Sequence, residues 1–352
     1  MSSTEKSYRL RMAALALFLL VSLCGCSSER EKQESQLFAM DTVMFLTAYG
    51  PKAWDGIKAA EELINGLDGL LDPENEGGDL YRINANAGKF TPVSDDIYSL
   101  LEVTREVNRR SRGALDPTIY KIVRAWGFID RQYRIPEPEE LGALLQHVGL
   151  EGVRVKFESA ATHGMVDVCV PEGAALTFGA VAKGYAAQKA VEAMKAAGVK
   201  SAVISLGGNV QTLGRKPDGS LWSVAVQDPR NTGGYVGVLN VGQTAVVTSG
   251  SYERYFARDG VTYHHILDPK TGYPANSGLL SVTVVCESGA FADALSTALF
   301  VLGEEGALEY YREYGDCELV LVTDDNRVVV TPGLSKYFEE KGGAYSYEYP
   351  EF

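Results

Sequence analysis

Chemically reactive side chains are concentrated in the stretch Tyr263–Pro274, which reads Tyr-His-His-Ile-Leu-Asp-Pro-Lys-Thr-Gly-Tyr-Pro. His264 and His265 are two of the four histidines in the chain, and Asp268 follows them closely. Consecutive residues of a strand point to opposite faces, so only one of the two imidazoles can face a site. A neutral imidazole there could accept a proton. Taken alone, the stretch is more typical of a polar turn, because proline and glycine both favour turns.

A second group of candidates lies on an alanine-rich helix, predicted over Ala290–Leu302. Asp293 and Thr297 are four residues apart, so their oxygen atoms point to one face of the helix, and Ser296 is beside them. Carboxylate and hydroxyl oxygens are the donors that Mg²⁺ and Ca²⁺ prefer. These residues would equally suit an Asp stabilised by the helix dipole and a Thr bonded to its own backbone.

The segment Gly179–Tyr185, with sequence Gly-Ala-Val-Ala-Lys-Gly-Tyr, begins another predicted helix, Ala180–Ala197. Free amide groups and Lys183 at a helix start suit a phosphate group. The segment lacks the GxxxxGK[ST] and GxGxxG spacings, so the two commonest nucleotide-binding motifs are not supported. Close packing by small residues explains it equally well.

Charge limits the kinds of partner. The chain has 352 residues, with 33 Lys and Arg against 46 Asp and Glu, a net charge of −13 and no basic tract. Binding to nucleic acid needs clustered positive charge, so we expect no nucleic-acid partner. An anionic ligand would have to be neutralised locally, by a metal ion, a lysine or helix amides.

The N-terminus predicts an export signal. Positive residues precede the short apolar run Met12–Val21, and Leu23-Cys-Gly-Cys26 follows it. This pattern resembles a bacterial lipobox. We therefore expect residues 1–25 to be a lipoprotein signal peptide and Cys26 to be the lipidated residue. Residues 26–36 would then form a polar tether in an extracytoplasmic protein anchored to the membrane; an ordinary secretory signal peptide is the alternative.

Three cysteines remain beyond the signal, Cys169, Cys286 and Cys317, an odd number without a CxxC motif. One disulfide could form outside the cytoplasm, but buried free thiols fit the apolar neighbourhoods equally well. We expect no structural disulfide and no zinc site.

Strand-like and helix-like segments are mixed along the chain without a regular βαβ order. We therefore expect an α+β fold with largely antiparallel sheets and packed helices. A strand is predicted over Leu37–Tyr49 and a helix over Ala53–Leu71. No repeat or linker interrupts the chain, so residues 37–340 are expected to form one catalytic unit, followed by a C-terminal tail at 341–352.

Eight segments carry a resemblance to a known family. They are Ala39–Val43, Gly113–Thr118 with Trp126–Phe128, Phe178–Tyr185, Ser205–Asn209, Asp228–Arg230, Thr248–Arg254, His265–Pro274 and Ala292–Thr297. Together they resemble the ApbE family of extracytoplasmic flavin transferases, the FAD:protein FMN transferases, and all eight occur in family order, which makes coincidence improbable.

The resemblance implies that FAD is the substrate, with Mg²⁺ as cofactor. A threonine hydroxyl of an acceptor protein would attack the phosphate on the FMN side, releasing AMP and leaving FMN attached. The implied metal ligands are the Ala180 carbonyl, Asp293 and Thr297, with Ser296 as a further candidate. The implied flavin contacts are Met40, Ala114, Leu115, Asp116, Lys183 and Leu267.

Two positions need separate comment. Thr177 is a further residue expected to contact the cofactor, although it stands where many family members carry Asp and cannot make a carboxylate contact. For catalysis, our hypothesis is that His265, close to Asp268, takes the threonine proton or orients the group that does. The alternatives are an FAD pyrophosphatase that uses water instead of threonine, a non-catalytic flavin-binding lipoprotein, and a lipoprotein that binds another solute.

Overall fold

Helices and strands follow each other irregularly along the chain, of which the computed structural model describes residues 30–157 and 166–352. The helices are α1 (Ala53–Leu71), α2 (Asp79–Ala85), α3 (Asp95–Arg110), α4 (Tyr120–Ala125), α5 (Pro138–Leu145), α6 (Ala182–Ala196) and α7 (Gly289–Tyr314). The first strands are β1 (Lys32–Ala39), β2 (Thr42–Tyr49), β3 (Thr91–Val93), β4 (Arg154–Phe157), β5 (Val166–Cys169), β6 (Ser201–Leu206), β7 (Asn209–Leu213), β8 (Trp222–Gln227) and β9 (Tyr235–Val241). The remaining strands are β10 (Ala245–Gly250), β11 (Tyr255–Arg258), β12 (Val261–His264), β13 (Leu279–Cys286), β14 (Glu318–Thr323), β15 (Arg327–Val330), β16 (Phe338–Glu340) and β17 (Ser346–Glu348).

The main sheet has nine strands in the order β1-β2-β6-β7-β10-β13-β14-β15-β17. Neighbouring strands are antiparallel except for β15 and β17. Three small sheets accompany it: β16-β9-β8, β3-β5-β4 and the hairpin β11-β12. The expected α+β class with largely antiparallel sheets is confirmed.

The two faces of the main sheet bury different cores. One face packs against α1, α6 and α7 in a large apolar core, where small residues such as Ala190 and Ala294 let the helices approach closely. The other face packs against β8 and β9, with Trp222 and Leu239 in the interface. A third, smaller core surrounds Trp126 and carries α4 and α5. Because the helices are fixed to one face of the sheet, their ends can hold a site steadily.

The N-terminal region corrects two expectations. The single strand predicted over Leu37–Tyr49 is a hairpin, in which Met40 and Asp41 form the turn with φ values of 49° and 60°. No glycine or proline marks this turn, and Asp is one of the few residues that tolerate a left-handed backbone. The predicted tether of residues 26–36 is also too long, because β1 begins at Lys32.

Other boundaries differ less. The predicted tail at 341–352 contributes β17 to the main sheet. The helix predicted over Ala290–Leu302 ends at a kink inside α7, where Gly303 has a non-helical backbone (φ 78°, ψ −179°), and a second helical stretch then continues to Tyr314. The predicted signal peptide, residues 1–25, and Cys26 lie outside the described residues. Within the described part of the chain, no helix combines the length and apolarity needed to cross a membrane.

Candidate active site

Two adjoining cavities form one cleft between the helical core and the loops around Trp126. The first cavity reaches Asp293 and Thr297 on α7, and the second reaches Met40 and Asp41 in the β1–β2 turn. Residues that line both cavities join them. They are Ile129, Thr177, Phe178, Gly179, Lys183, Glu253, Arg254 and His265. Most of the residues predicted for the site line this cleft, although they come from segments far apart in the sequence.

The crossing of α6 and α7 positions one wall. Gly184 and Gly289 face each other, and a Cβ on Gly184 would lie 2.1 Å from the Gly289 carbonyl oxygen and 2.6 Å from the Asp293 Cβ. This close approach lets the Gly184 amide donate to Asp293 Oδ2 at 2.7 Å. Asp293 is almost completely buried. Its carboxylate is therefore fixed at the start of α6, and the Gly184 amide is not available to a phosphate.

Hydroxyl groups continue from Asp293 into the cavity wall. Thr297 Oγ1 lies 3.2 Å from Ser249 Oγ, and Ser249 Oγ lies 2.8 Å from Ser296 Oγ. Ser296 donates to the Asp293 carbonyl at 2.9 Å and is fully buried. Thr297, Ser249 and Ala180 line the same cavity, whereas Ser296 is not part of its lining. The geometry therefore does not support a metal-ligand role for Ser296.

The donor set fits Mg²⁺ only if the substrate supplies part of the coordination. Ala180, Asp293 and Thr297 line the same cavity and offer hard oxygen atoms. Across residues 30–157 and 166–352, no group of three or more His, Cys, Asp or Glu side chains could hold a metal. Mg²⁺ commonly uses one or two protein carboxylates together with phosphate oxygens and water, and a single carboxylate is what this wall provides.

His264, the last residue of β12, and His265, the residue after it, point to different surroundings. His265 lines the cleft, and its Nδ1 lies 3.2 Å from the Arg254 carbonyl, so Nδ1 carries the proton and Nε2 keeps a free lone pair. Burial, reinforced by Lys183 and Arg254, lowers the pKa of His265 to about 3. His264 instead contacts the Ala275 carbonyl and packs edge-on against a core phenylalanine. His265 is thus neutral at pH 7 and able to accept a proton.

Asp268, which the sequence placed close to His265 as a candidate for the site, is held within the turn. Its Oδ1 accepts the Lys270 amide at 2.9 Å, and its backbone bonds to Tyr273 and Gly272 close the turn. The residue is not among those that line either cavity. Its position supports turn formation and gives no support for catalysis.

The comparison with known proteins decides the family. The sequence matches the profile of the ApbE family over residues 40–321. The chain belongs to the ApbE family.

Similar ApbE proteins cover nearly the whole chain. The FAD:protein FMN transferase of Treponema pallidum is 32% identical over 336 residues, covering 90% of this chain and 92% of that protein. The protein of the same name from Vibrio cholerae is 30% identical over 304 residues, covering 83% and 87%. The crystal structure of the ApbE protein from Thermotoga maritima superposes with a TM-score of 0.80 at 29% identity, covering 89% of this chain and 100% of that one. The apo form of Pseudomonas stutzeri flavinyl transferase ApbE superposes with a TM-score of 0.72 at 30% identity, covering 83% and 91%.

The residues expected to contact flavin divide between the two cavities of this ApbE chain. Ala114, Leu115 and Leu267 form an apolar wall of the first cavity, whereas Met40 lines the second. Asp116 lines the first cavity, but its carboxylate accepts the Thr118 amide and hydroxyl and the Leu150 amide. Burial raises the pKa of Asp116. Its side chain therefore mainly holds two loops together.

Thr177 and Lys183 lie where the two cavities of the ApbE cleft meet. The Thr177 hydroxyl accepts the Gly179 amide at 3.2 Å, and the Thr177 amide donates to the Pro117 carbonyl. Thr177 therefore fixes the loop that leads into α6. Lys183, in the first turn of α6, places a positive charge at the junction.

Three residues of the ApbE cleft were not singled out from the sequence: Ser249, Glu253 and Arg254. Glu253 lines both cavities. Loss of contact with water raises its pKa, and this effect exceeds the lowering caused by the positive charge of Lys183. Arg254 Nη2 lies 3.1 Å from Asp41 Oδ2, so it bridges the cleft to the β1–β2 turn. The polar segment Thr248–Arg254, which begins in β10 and continues past its end, was the signal that could have identified them.

Proposed function

We propose that this chain transfers the FMN part of FAD to a threonine hydroxyl of an acceptor protein and releases AMP, with Mg²⁺ as cofactor. The observation that carries the proposal is the meeting of Ala180, Asp293 and Thr297 in one cavity that Lys183 and His265 also line. The names of the relatives, FAD:protein FMN transferases, support the same activity.

The cleft offers complementary walls for the two chemical halves of the substrate. Apolar side chains such as Leu115, Leu267 and Phe128 suit an aromatic ring system. The start of α6 and Lys183 suit the negative phosphates, since helix N-termini and ammonium groups both attract anions. The distribution matches a dinucleotide whose phosphate bridge lies at the junction of the cavities.

The transfer step needs charge neutralisation and a proton acceptor. A bond forms between the threonine oxygen and the phosphorus on the FMN side, the bridging P–O bond breaks, and AMP leaves with the bridging oxygen. Bound Mg²⁺, held by Ala180, Asp293 and Thr297, would supply Lewis-acid stabilisation of the phosphate charge. Lys183 adds positive charge. His265 Nε2 takes the threonine proton, and the Arg254 carbonyl holds its ring in the required tautomer.

The low pKa of His265 has a mechanistic consequence. An imidazole with a pKa of about 3 remains unprotonated at pH 7 but binds a proton weakly. It therefore accepts the proton only after the P–O bond has begun to form and the hydroxyl has become acidic. Phosphate charge in the bound substrate raises the basicity of the ring, since Lys183 and Arg254 are then partly neutralised.

We further propose that the protein is an extracytoplasmic lipoprotein attached to the membrane at Cys26. The sequence pattern of residues 6–26 supports this location. Because β1 begins at Lys32, residues 27–31 remain as the tether, which spans about 18 Å when extended. Radiolabelled palmitate should enter the wild type and not Cys26→Ser, and recovery of the variant with lipid would contradict the proposal.

The activity is tested with the purified full chain, FAD, Mg²⁺ and a candidate acceptor. Mass spectrometry should show one added FMN on a threonine of the acceptor, with one AMP released per FMN attached. Asp293→Asn, which keeps the side-chain shape, should lose most of this transfer. Rapid AMP release without acceptor would instead show an FAD pyrophosphatase. FAD binding without AMP under any condition would show a non-catalytic flavin-binding protein.

A further inference from the structure

Cys286 and Cys317 lie opposite each other at the end of the main sheet. Strands β13 and β14 pair antiparallel, and beyond an irregularity near Leu279 the register is constant from Ser281 opposite Val322 to Val285 opposite Glu318. The next pair in that register is Cys286 and Cys317. Both cysteines pack against the core beneath the helices, as do Val284, two residues before Cys286, and Leu319, two residues after Cys317. The two side chains therefore point from neighbouring strands to the same face.

The hydrogen bonding shows what kind of pair this is. The Leu319 carbonyl accepts a hydrogen bond from the Thr331 amide, and the Leu319 amide donates one to the Thr331 hydroxyl. Both groups of Leu319 therefore face the side away from β13. Its pair with Val284 is therefore a non-hydrogen-bonded pair, and the Cys286–Cys317 pair has the same type. The Cys286 carbonyl supports this assignment, because it accepts a hydrogen bond of 2.8 Å from the Thr244 hydroxyl on the side away from β14. Such pairs have Cα atoms about 4.5 Å apart, within the range of about 4.4–6.8 Å that disulfides span.

We propose that Cys286 and Cys317 form a disulfide when the chain folds outside the cytoplasm. Two S–H bonds are lost and one S–S bond forms. The two electrons and two protons pass to a protein or small-molecule disulfide, which becomes two thiols. The proposal rests on the export part of the proposed function, and it revises the expectation from the sequence that no structural disulfide is present.

The third cysteine has no comparable partner. Cys169 belongs to β5, in a different sheet, and its Sγ lies 3.2 Å from Arg154 Nη2. All three thiols are free in the structure. An odd cysteine count is therefore compatible with one cross-link and one buried thiol.

The environment indicates when the bond forms. Burial raises the pKa of Cys286 to about 12 and also raises that of Cys317, to which nearby Asp316 contributes. Thiol–disulfide exchange needs the thiolate, so these thiols react slowly once they are buried. The cross-link is therefore made during folding, and the same burial then protects it from reductants.

The position of the cross-link connects it to the site. A bond between Cys286 and Cys317 closes a loop that contains the whole of α7, from Gly289 to Tyr314. This is the helix that carries Asp293 and Thr297. The bond would tie both ends of the helix to the sheet and restrict the unfolded chain, which is how disulfides stabilise proteins.

The test uses the full chain purified in detergent without reductant, and the same chain unfolded, reduced and refolded in a glutathione redox buffer. Free thiols are blocked with N-ethylmaleimide before proteolysis and mass spectrometry. We expect a peptide linking Cys286 to Cys317, and an alkylated Cys169. Alkylation of both Cys286 and Cys317 in the refolded protein, or a link to Cys169, would overturn the proposal.

Variants give a second, independent measurement. Reduction with dithiothreitol in denaturant, followed by refolding with the reductant present, should lower the melting temperature of the wild type and of the control Cys169→Ala by several degrees. It should leave the double variant Cys286→Ala, Cys317→Ala unchanged. An equal response of all three proteins would also overturn the proposal. Flavin transfer is assayed separately, because loss of transfer in a cross-linked protein would count against the proposed activity and not against the disulfide.

Discussion

Replacing Gly184 by Ala tests whether the crossing of α6 and α7 positions Asp293. The added Cβ would lie 2.1 Å from the Gly289 carbonyl oxygen, more than 1 Å inside the ordinary contact distance of 3.4 Å. It would also lie 2.6 Å from the Asp293 Cβ. Neither a backbone oxygen nor a Cβ atom can rotate away, so the two helices must separate. The hydrogen bond of 2.7 Å from Gly184 to Asp293 would lengthen with them.

The magnitude follows from two opposing effects of the substitution. Alanine in a helix gains about 0.5–1 kcal/mol over glycine, whereas forced overpacking costs about 1–3 kcal/mol. We expect the free energy of unfolding of Gly184→Ala to fall by about 1–2 kcal/mol. A catalytic group displaced by about 1 Å can lose about 10²-fold in rate, so we expect a loss of that order in kcat.

Gly66→Ala is the matched control, because this glycine lies inside α1 and its added Cβ would meet no atom within 4 Å. It should raise the free energy of unfolding by about 0.5–1 kcal/mol and leave flavin transfer unchanged. Urea unfolding and AMP release measured over a range of Mg²⁺ concentrations provide both quantities. If Gly184→Ala behaved like Gly66→Ala in both assays, the account of how Asp293 is held would be wrong.

Three further predictions follow from single contacts. Asp293→Asn should raise the Mg²⁺ concentration needed for half-maximal AMP release at least tenfold, and an unchanged requirement would remove Asp293 from the metal site. His265 has a pKa of about 3 when folded and 6.5 when unfolded, so the unfolded chain binds the extra proton and the wild type loses stability as the pH falls between these values. His265→Asn should show a shallower fall of melting temperature over that window, and parallel curves would refute the assignment. Trp126→Phe removes the buried hydrogen bond of 2.8 Å from Nε1 to the Gly272 carbonyl. It should lower the free energy of unfolding, measured by urea titration, by about 1–3 kcal/mol. A loss below about 0.5 kcal/mol would show that water replaces the bond.

Much of the fold could be predicted from local patterns. Helix α1 begins and ends where apolar residues at helical spacing placed it, at Ala53 and Leu71. The turn between β1 and β2 could not be predicted in this way, because its two residues with left-handed backbone, Met40 and Asp41, include no glycine. Strand β17 was missed because three residues with mixed polarity become a strand only by pairing with β15.

The sequence by itself determined which reactive side chains exist and how neighbours on one helix share a face, as with Asp293 and Thr297. These relations depend on helical and strand periodicity, which is local. Only the tertiary structure decided that His265 and not His264 faces the cleft, that Ser296 and Asp268 lie outside its lining, and that Glu253 belongs to it. The same is true of the register that brings Cys286 opposite Cys317. Sheet register and helix crossing are set by long-range packing of apolar surfaces, and no local pattern specifies which distant segments will meet.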